Sequence, residues 1–141
     1  MKAIIEHLIV AVIAVGMAFV GYWLIGWYRD GSTNHPLVEW NDPGWVIWSS
    51  TVSITTWFIL YRICRLLHWL VLPIMGALSP LIGGTLFFIP YTFAPWIIIF
   101  GCAPVVFPVG IATGLLISIA TLPFRPREVL WRNVDASPVN G

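Results

Sequence analysis

The sequence predicts an all-α integral membrane protein of about four transmembrane helices. Hydrophobic residues make up 59% of the 141 residues, charged residues make up 9%, and the mean hydropathy is +0.89. In soluble domains about a quarter of the residues are charged, so this composition favours a bilayer as the solvent. Three long stretches without charged side chains, 8–28, 45–61 and 69–124, indicate where the chain can cross it.

Composition also argues against several classes of protein. The net charge of +1 comes without a basic run, so the sequence predicts no nucleic-acid partner. Cys64 and Cys102 both fall inside apolar stretches, which favours small buried side chains over a disulfide or a zinc site. We interpret residues 1–141 as a single membrane domain with no room for a large separate catalytic domain.

The first transmembrane helix is predicted at about 8–28. Its 21 residues carry no Asp, Glu, Lys or Arg, and at about 1.5 Å per residue they cover a hydrocarbon layer of about 30 Å. Lys2 precedes it as in a signal peptide, but the apolar run is long and no Ala-x-Ala-like site follows, so we expect a retained anchor. Turn-forming and charged residues then predict an outer loop over 29–44.

The second helix is predicted at about 45–67. The stretch from Trp45 to Tyr61 has 17 uncharged residues, which is short for a membrane crossing. We therefore expect the helix to continue through Arg62 and Arg65, whose long side chains can reach the membrane surface.

The 56 residues of 69–124 contain no charged side chain and no histidine. A single membrane-spanning helix needs only about 20 residues, far fewer than this stretch contains. The sequence therefore predicts a hairpin of a third helix at about 70–89 and a fourth at about 96–122, with a turn near Pro90 and Pro95. Prolines and glycines inside both helices predict kinked or partly unwound backbones. A polar cytoplasmic tail is expected at 123–141.

The basic residues predict the orientation. Six of the seven Lys and Arg residues fall on one side of a four-helix arrangement, and basic segments stay in the cytoplasm, so both termini are expected there. Aromatic and basic side chains are expected to anchor the helices at the two interfaces. These anchors are Trp23, Trp27, Trp45, Trp48, Trp69, Trp96, Arg62, Arg65, Arg125 and Arg127.

Small residues predict where helices approach one another. In the first helix they recur at steps of three and four, and in the fourth they form a GxxxG motif. The predicted packing residues are Ala11, Ala14, Ala18, Gly21, Gly110 and Gly114. The sequence leaves open whether these faces meet one another or meet another chain.

Candidate catalytic residues are few. No His-Glu-x-x-His, phosphate-binding loop or Gly-x-Ser-x-Gly motif is present in the sequence. His35, Glu39 and Asp42 could together hold a cation, but their spacing favours a solvated loop. We therefore expect no catalytic residues, no metal and no cofactor, and the chain is not predicted to be an enzyme.

The predicted function is a non-catalytic membrane subunit or scaffold that packs through helix faces within a larger assembly. Two alternatives remain open: a holin-like or pore-forming homo-oligomer, and a small carrier built on the broken third and fourth helices. The expected partners are the lipid bilayer and either other membrane subunits or copies of this chain. The expected location is a bacterial inner membrane or a viral membrane.

Overall fold

The computed structural model describes residues 1–30, 42–88 and 99–125, and all regular structure in those ranges is helical. The helices are α1 (Lys2–Asp30), α2 (Pro43–Cys64), α3 (Val71–Gly76), α4 (Ser79–Phe88) and α5 (Ala103–Thr121), with a short 3-10 helix at Leu122–Phe124. Residues 99–101 are also helical and reach α5 through a turn at Cys102. The prediction of an all-α protein is confirmed for the described residues.

Two segments are long and apolar enough to cross a membrane. They are Lys2–Tyr28, with a mean hydropathy of 2.5, and Ala103–Phe124, with a mean hydropathy of 2.2. The first lies near the N-terminus, where a signal sequence has the same apolar character. The apolar stretch Val71–Phe87 is shorter.

Helix α2 begins two residues before the predicted position because Asp42 caps it. Asp42 Oδ1 accepts a hydrogen bond of 2.9 Å from the backbone N–H of Gly44. Pro43 is the first helical residue, where its missing N–H leaves no donor unsatisfied. Helix α1 extends beyond 8–28 at both ends, and α2 ends at Cys64 rather than near residue 67.

Proline divides the segment predicted as one helix over 70–89. Pro80, the second residue of α4, has no backbone N–H to donate to the carbonyl of Gly76 at the end of α3. Between the two helices, the N–H groups of Ala77 and Leu78 donate to carbonyl oxygens three residues back, at 3.1 and 2.9 Å. The chain thus continues from α3 into α4 through a partly unwound backbone.

Helices α1 and α2 run antiparallel to each other, and so do α3 and α5. In each pair, the residue numbers of the contacts rise along one helix as they fall along the other. The contacts between α1 and α2 are Glu6 with Tyr61, Ala14 with Ser53 and Tyr22 with Trp45. Those between α3, with the residues just before it, and α5 are Trp69 with Ser118, Leu72 with Gly114 and Gly76 with Gly110. The start of α1, the end of α2, the start of α3 and the end of α5 therefore lie at one end of the bundle.

Glycine lets α5 lie directly on α3. A Cβ added to Gly110 would come within 2.3 Å of the carbonyl oxygen of Gly76, and one added to Gly114 would come within 2.6 Å of the carbonyl oxygen of Leu72. Real Cβ atoms do not approach so closely, so both positions depend on the missing side chain. The buried core continues from this contact toward α1 and α2, and consists of Val10, Ala14, Trp57, Leu60, Tyr61, Cys64, Leu72 and Ile117.

Several predicted features lie outside the described residues. They are most of the outer loop, the turn between the third and fourth helices, the tail beyond Arg125, and the anchors Trp96 and Arg127. His35 and Glu39 of the weak cation-site hypothesis also lie there.

Candidate functional site

A carboxylate is buried at the end of the bundle where α1 begins. Glu6 is only 1% exposed. Its Oε1 accepts a short hydrogen bond from the hydroxyl of Tyr61, and its Oε2 accepts a hydrogen bond of 3.0 Å from Nη2 of Arg65, which makes an ion pair. Tyr61 lies in the last turn of α2, and Arg65 is the residue that caps its C-terminus. The two are four residues apart and therefore lie on one face of the helix. The carboxylate ties α1 to α2.

A second guanidinium reaches the same region from the end of α5. Arg125 follows the 3-10 helix and is 4% exposed, and its Nη1 donates to the carbonyl oxygen of Leu67 at 3.4 Å. Burial lowers the pKa of Arg125 from its usual value, and the neighbouring Tyr61 and Glu6 act against that shift. We call Glu6, Tyr61, Arg65 and Arg125 the Glu6 cluster.

The Glu6 cluster carries more donors than acceptors. Arg65 and Arg125 supply two positive charges against the one carboxylate. Among the described residues, buried Nε of Arg65 and buried Nε and Nη2 of Arg125 have no hydrogen-bond partner. Unpaired buried donors cost free energy, so the carboxylate is the group on which the balance of this cluster depends.

Thr121 and Cys64 lie beside the Glu6 cluster. Thr121 Oγ1 donates to its own helix, to Ile117 O at 2.7 Å, and Cys64 is a buried free thiol. The described histidines have partners elsewhere: His7 Nδ1 lies 2.6 Å from the carbonyl oxygen of Ala3, and His68 Nδ1 accepts from the N–H of Leu70 at 3.3 Å. No group of three or more potential metal ligands occurs among the described residues.

A cavity of about 270 Å³ lies elsewhere in the bundle, among α1, α2, α4 and α5. Small residues and aromatic residues line it, including Ala18, Gly21, Tyr22, Trp45 and Trp57. None of the residues of the Glu6 cluster is among its described lining. The bundle therefore has a charged end and a separate uncharged cavity.

The predicted packing residues of α1 mostly turn toward the bundle. Ala14 is fully buried, and its carbonyl oxygen accepts a hydrogen bond of 2.8 Å from Ser53 Oγ. Gly21 is buried, and Val109 lies 3.3 Å from where its Cβ would be. Ala18 lines the cavity and Ala11 is partly exposed. In α5, Gly110 and Gly114 are both buried against α3 of the same chain.

The predicted anchors divide into exposed and buried groups. The exposed ones are Trp23, Trp27, Trp48 and Arg62, and the partly buried ones are Trp45, Trp69 and Arg65. Arg65 and Arg125 differ most from the expectation of side chains reaching outward. The carboxylate of Glu6 draws Arg65 toward α1, and the Leu67 carbonyl oxygen binds Arg125 inside the bundle.

Sequence reasoning did not place Glu6 and Tyr61 in a common site. One signal was available, because Glu6 is the only acidic residue in 1–29 and precedes a long apolar helix. Its partners are separated from it by 55 and 59 positions, so only the antiparallel pairing of α1 with α2 brings them together.

Comparisons with known proteins found no matching protein family, no matching curated protein and no matching solved structure.

Proposed function

We propose that this protein is a non-catalytic integral membrane subunit with four membrane spans, both termini in the cytoplasm, that packs against membrane chains of a different kind. Its spans are α1, α2, the broken pair α3 and α4, and α5. Its role is to hold partner helices in place within an assembly.

The antiparallel arrangement supports four spans. At about 1.5 Å per residue, the 22 residues of α2 reach about 33 Å, enough for the hydrocarbon layer. Helices α3 and α4 together supply a third antiparallel segment between α2 and α5. Glu6, Arg65 and Arg125 meet at one end of the bundle, and the rule that basic residues stay inside assigns that end to the cytoplasm.

The subunit proposal depends on one observation: the small-residue faces of α1 and α5 pack against other helices of the same chain. Gly110 and Gly114 pack on α3, and Ala14 and Gly21 face α2 and α5, all within one chain. A pore that self-associates through GxxxG needs that face free for a second copy. The internal use of both faces favours a subunit over a homo-oligomeric pore.

The outer surface offers a different face for partners. Exposed residues of α1 and α5 are large and apolar, as suits lipid: Ile4, Leu8, Val12, Ile111, Leu115 and Ile119. Helix α2 differs, because Thr51 and Thr55 are exposed one turn apart. Thr51 Oγ1 donates to the carbonyl oxygen of Ile47 in its own helix at 2.7 Å, so it can still accept but not donate. Small threonines on an outward face let a second helix approach closely, so we assign the partner contact to this face of α2.

Site-specific crosslinking tests this assignment. A photoreactive phenylalanine analogue replaces Thr51 or Thr55 in the full chain in its native membrane, and Val12, which is 65% exposed on α1, is the matched control. We expect both α2 positions to crosslink to an unlike membrane protein that co-purifies in fixed ratio, and Val12 to crosslink only to lipid. Crosslinking only to second copies of this chain would favour the pore, and lipid adducts at all three positions would refute the partner face.

A further inference from the structure

The cavity among α1, α2, α4 and α5 is large for the interior of so small a bundle. Protein interiors are packed so closely that voids larger than a water molecule are few. An enclosed apolar cavity of about 150 Å³, engineered into another protein, stays dry and binds benzene; this one has about 270 Å³ and is partly open to the surface of the bundle. A space of this size is suited to an occupant larger than a water molecule.

Small residues border the cavity on three helices, although the places of the missing Cβ atoms of Gly21, Gly84 and Gly110 are filled by Val109, Ile99 and Gly76 and are not empty space. Ala18 and Gly21 line the cavity from α1, Gly83 and Gly84 line it from α4, and Gly110 lines it from α5. Small residues on three helices thus border one continuous volume. The same helices also carry large side chains, so the volume is a local feature of this part of the bundle.

The described lining is uncharged, and three of its hydroxyl donors are already used. No Asp, Glu, Lys, Arg or His occurs among the described lining residues. Ser53 Oγ donates to Ala14 O at 2.8 Å, Thr56 Oγ1 donates to its own helix at 2.8 Å, and Thr113 Oγ1 does the same at 2.6 Å. Each hydroxyl has one donor, so these three side chains present little but methyl and methylene groups to an occupant.

Aromatic rings close one side of the cavity. Tyr22 lies 5.2 Å from Trp45 and 5.8 Å from Phe87 between ring centroids, and Trp45 lies 6.1 Å from Phe87. Trp57, which is buried, lines the cavity from α2. Such rings offer a large apolar contact area to a flat or chain-like hydrocarbon.

From this lining we infer that the cavity binds a neutral small molecule that is predominantly hydrocarbon and somewhat larger than benzene. The described lining offers an ion no opposite charge, and a strongly polar molecule would lose most of its hydrogen bonds to water without replacement. This site goes beyond the proposed subunit function and does not depend on it.

Photolabelling of the full chain in lipid nanodiscs tests the site. The probe is 3-trifluoromethyl-3-phenyldiazirine, a neutral apolar precursor of a carbene, and insertion is mapped by mass spectrometry. We expect insertion at Trp57 to saturate and to fall at least fivefold with excess unlabelled toluene. Insertion at exposed Ile4 and Val12 is expected to rise with probe concentration without saturating.

Two variants of α1 make the test specific. Ala18→Phe fills the cavity and is expected to remove most of the saturable insertion at Trp57. Gly16→Phe adds the same ring where nothing lies within 4 Å and is expected to retain it. Unchanged labelling of Ile4 and Val12 would show that Ala18→Phe still folds. If it does not fold, Val109→Phe, which fills the cavity from α5, takes its place.

The proposal fails under three results. Insertion at Trp57 that never saturates would mean that the probe reaches it only from bulk lipid. Equal saturable insertion in the cavity-filling and Gly16→Phe variants would place the bound probe elsewhere. Saturable insertion at Trp57 that falls with added long-chain lipid but not with toluene would assign the cavity to a lipid chain.

Discussion

The hydroxyl of Tyr61 donates a hydrogen bond to Oε1 of Glu6, across 55 positions of the chain, and so joins the end of α2 to the start of α1. Arg65 holds the other carboxylate oxygen at 3.0 Å. Neither oxygen of Glu6 is left without a donor, while the second guanidinium of the cluster, that of Arg125, donates to the Leu67 carbonyl oxygen instead. The consequences of removing the carboxylate and of removing the surplus cation should therefore be opposite.

Glu6→Gln should destabilise the fold. The amide keeps the size of the side chain but removes the negative charge that pairs with Arg65. Breaking a buried pair leaves an uncompensated charge, and with Arg65 one third exposed we expect a loss of about 2 kcal/mol in the free energy of unfolding. Titration of the purified protein from mild detergent into dodecyl sulfate measures this. Lys2→Gln, at an exposed position, is the control, and equal midpoints for the two variants would contradict the prediction.

Arg125→Met should be neutral or stabilising. The buried Nε and Nη2 of Arg125 have no partner among the described residues, and Glu6 keeps Arg65 without it. Replacing a buried ionic group by an apolar side chain of similar length often raises stability by about 1 kcal/mol or more. The same titration measures it, and a loss as large as that of Glu6→Gln would show that Arg125 is needed to balance the carboxylate.

Gly110→Ala should destabilise the contact between α3 and α5. The added methyl group would meet the backbone oxygen of Gly76 at 2.3 Å, and backbone cannot move aside as a side chain can. We expect a loss of about 1–3 kcal/mol, typical of overpacking. In Gly16→Ala the methyl group meets nothing, and alanine is the better helix former, so its thermal midpoint should not fall. Equal behaviour of the two variants would contradict the close approach.

Cysteine labelling should place the two ends of the fourth span on opposite sides of the membrane. Tyr91→Cys and Ser137→Cys are made in a chain whose two native cysteines, Cys64 and Cys102, are replaced by serine. With intact cells or vesicles and a membrane-impermeant maleimide, we expect Tyr91→Cys to react from the outside and Ser137→Cys only after permeabilisation. Reaction of both from one side would contradict four spans.

The helical fold was predictable from the sequence because its signals are local. The uncharged run 8–28 lies within α1, and Pro80 marks the break between α3 and α4. Helix ends were less predictable, since the cap at Asp42 depends on one side-chain hydrogen bond. The residues that flank an apolar run have a similar polar composition whether the helix continues into them or not, so composition alone does not locate the helix end.

The charged cluster was not predictable from the sequence, for a physical reason. An arginine near a membrane helix end usually reaches the surface, and that pattern says nothing of a carboxylate 59 positions away. The cavity was equally hidden, because Ala18 and Gly21 predict close packing as readily as they predict space. Only the relative positions of α1, α4 and α5 decide between these two outcomes.

The Glu6 cluster also sets an order for biogenesis. During synthesis Glu6 leaves the ribosome first, Tyr61 and Arg65 follow with the end of α2, and Arg125 emerges only after α5. The carboxylate can therefore be paired while the chain is half made, but the second guanidinium can be buried only once the last helix has been inserted. A chain that stalls before α5 can therefore already hold Glu6 against Tyr61 and Arg65, while the face of α3 that packs on Gly110 and Gly114 still lacks its partner.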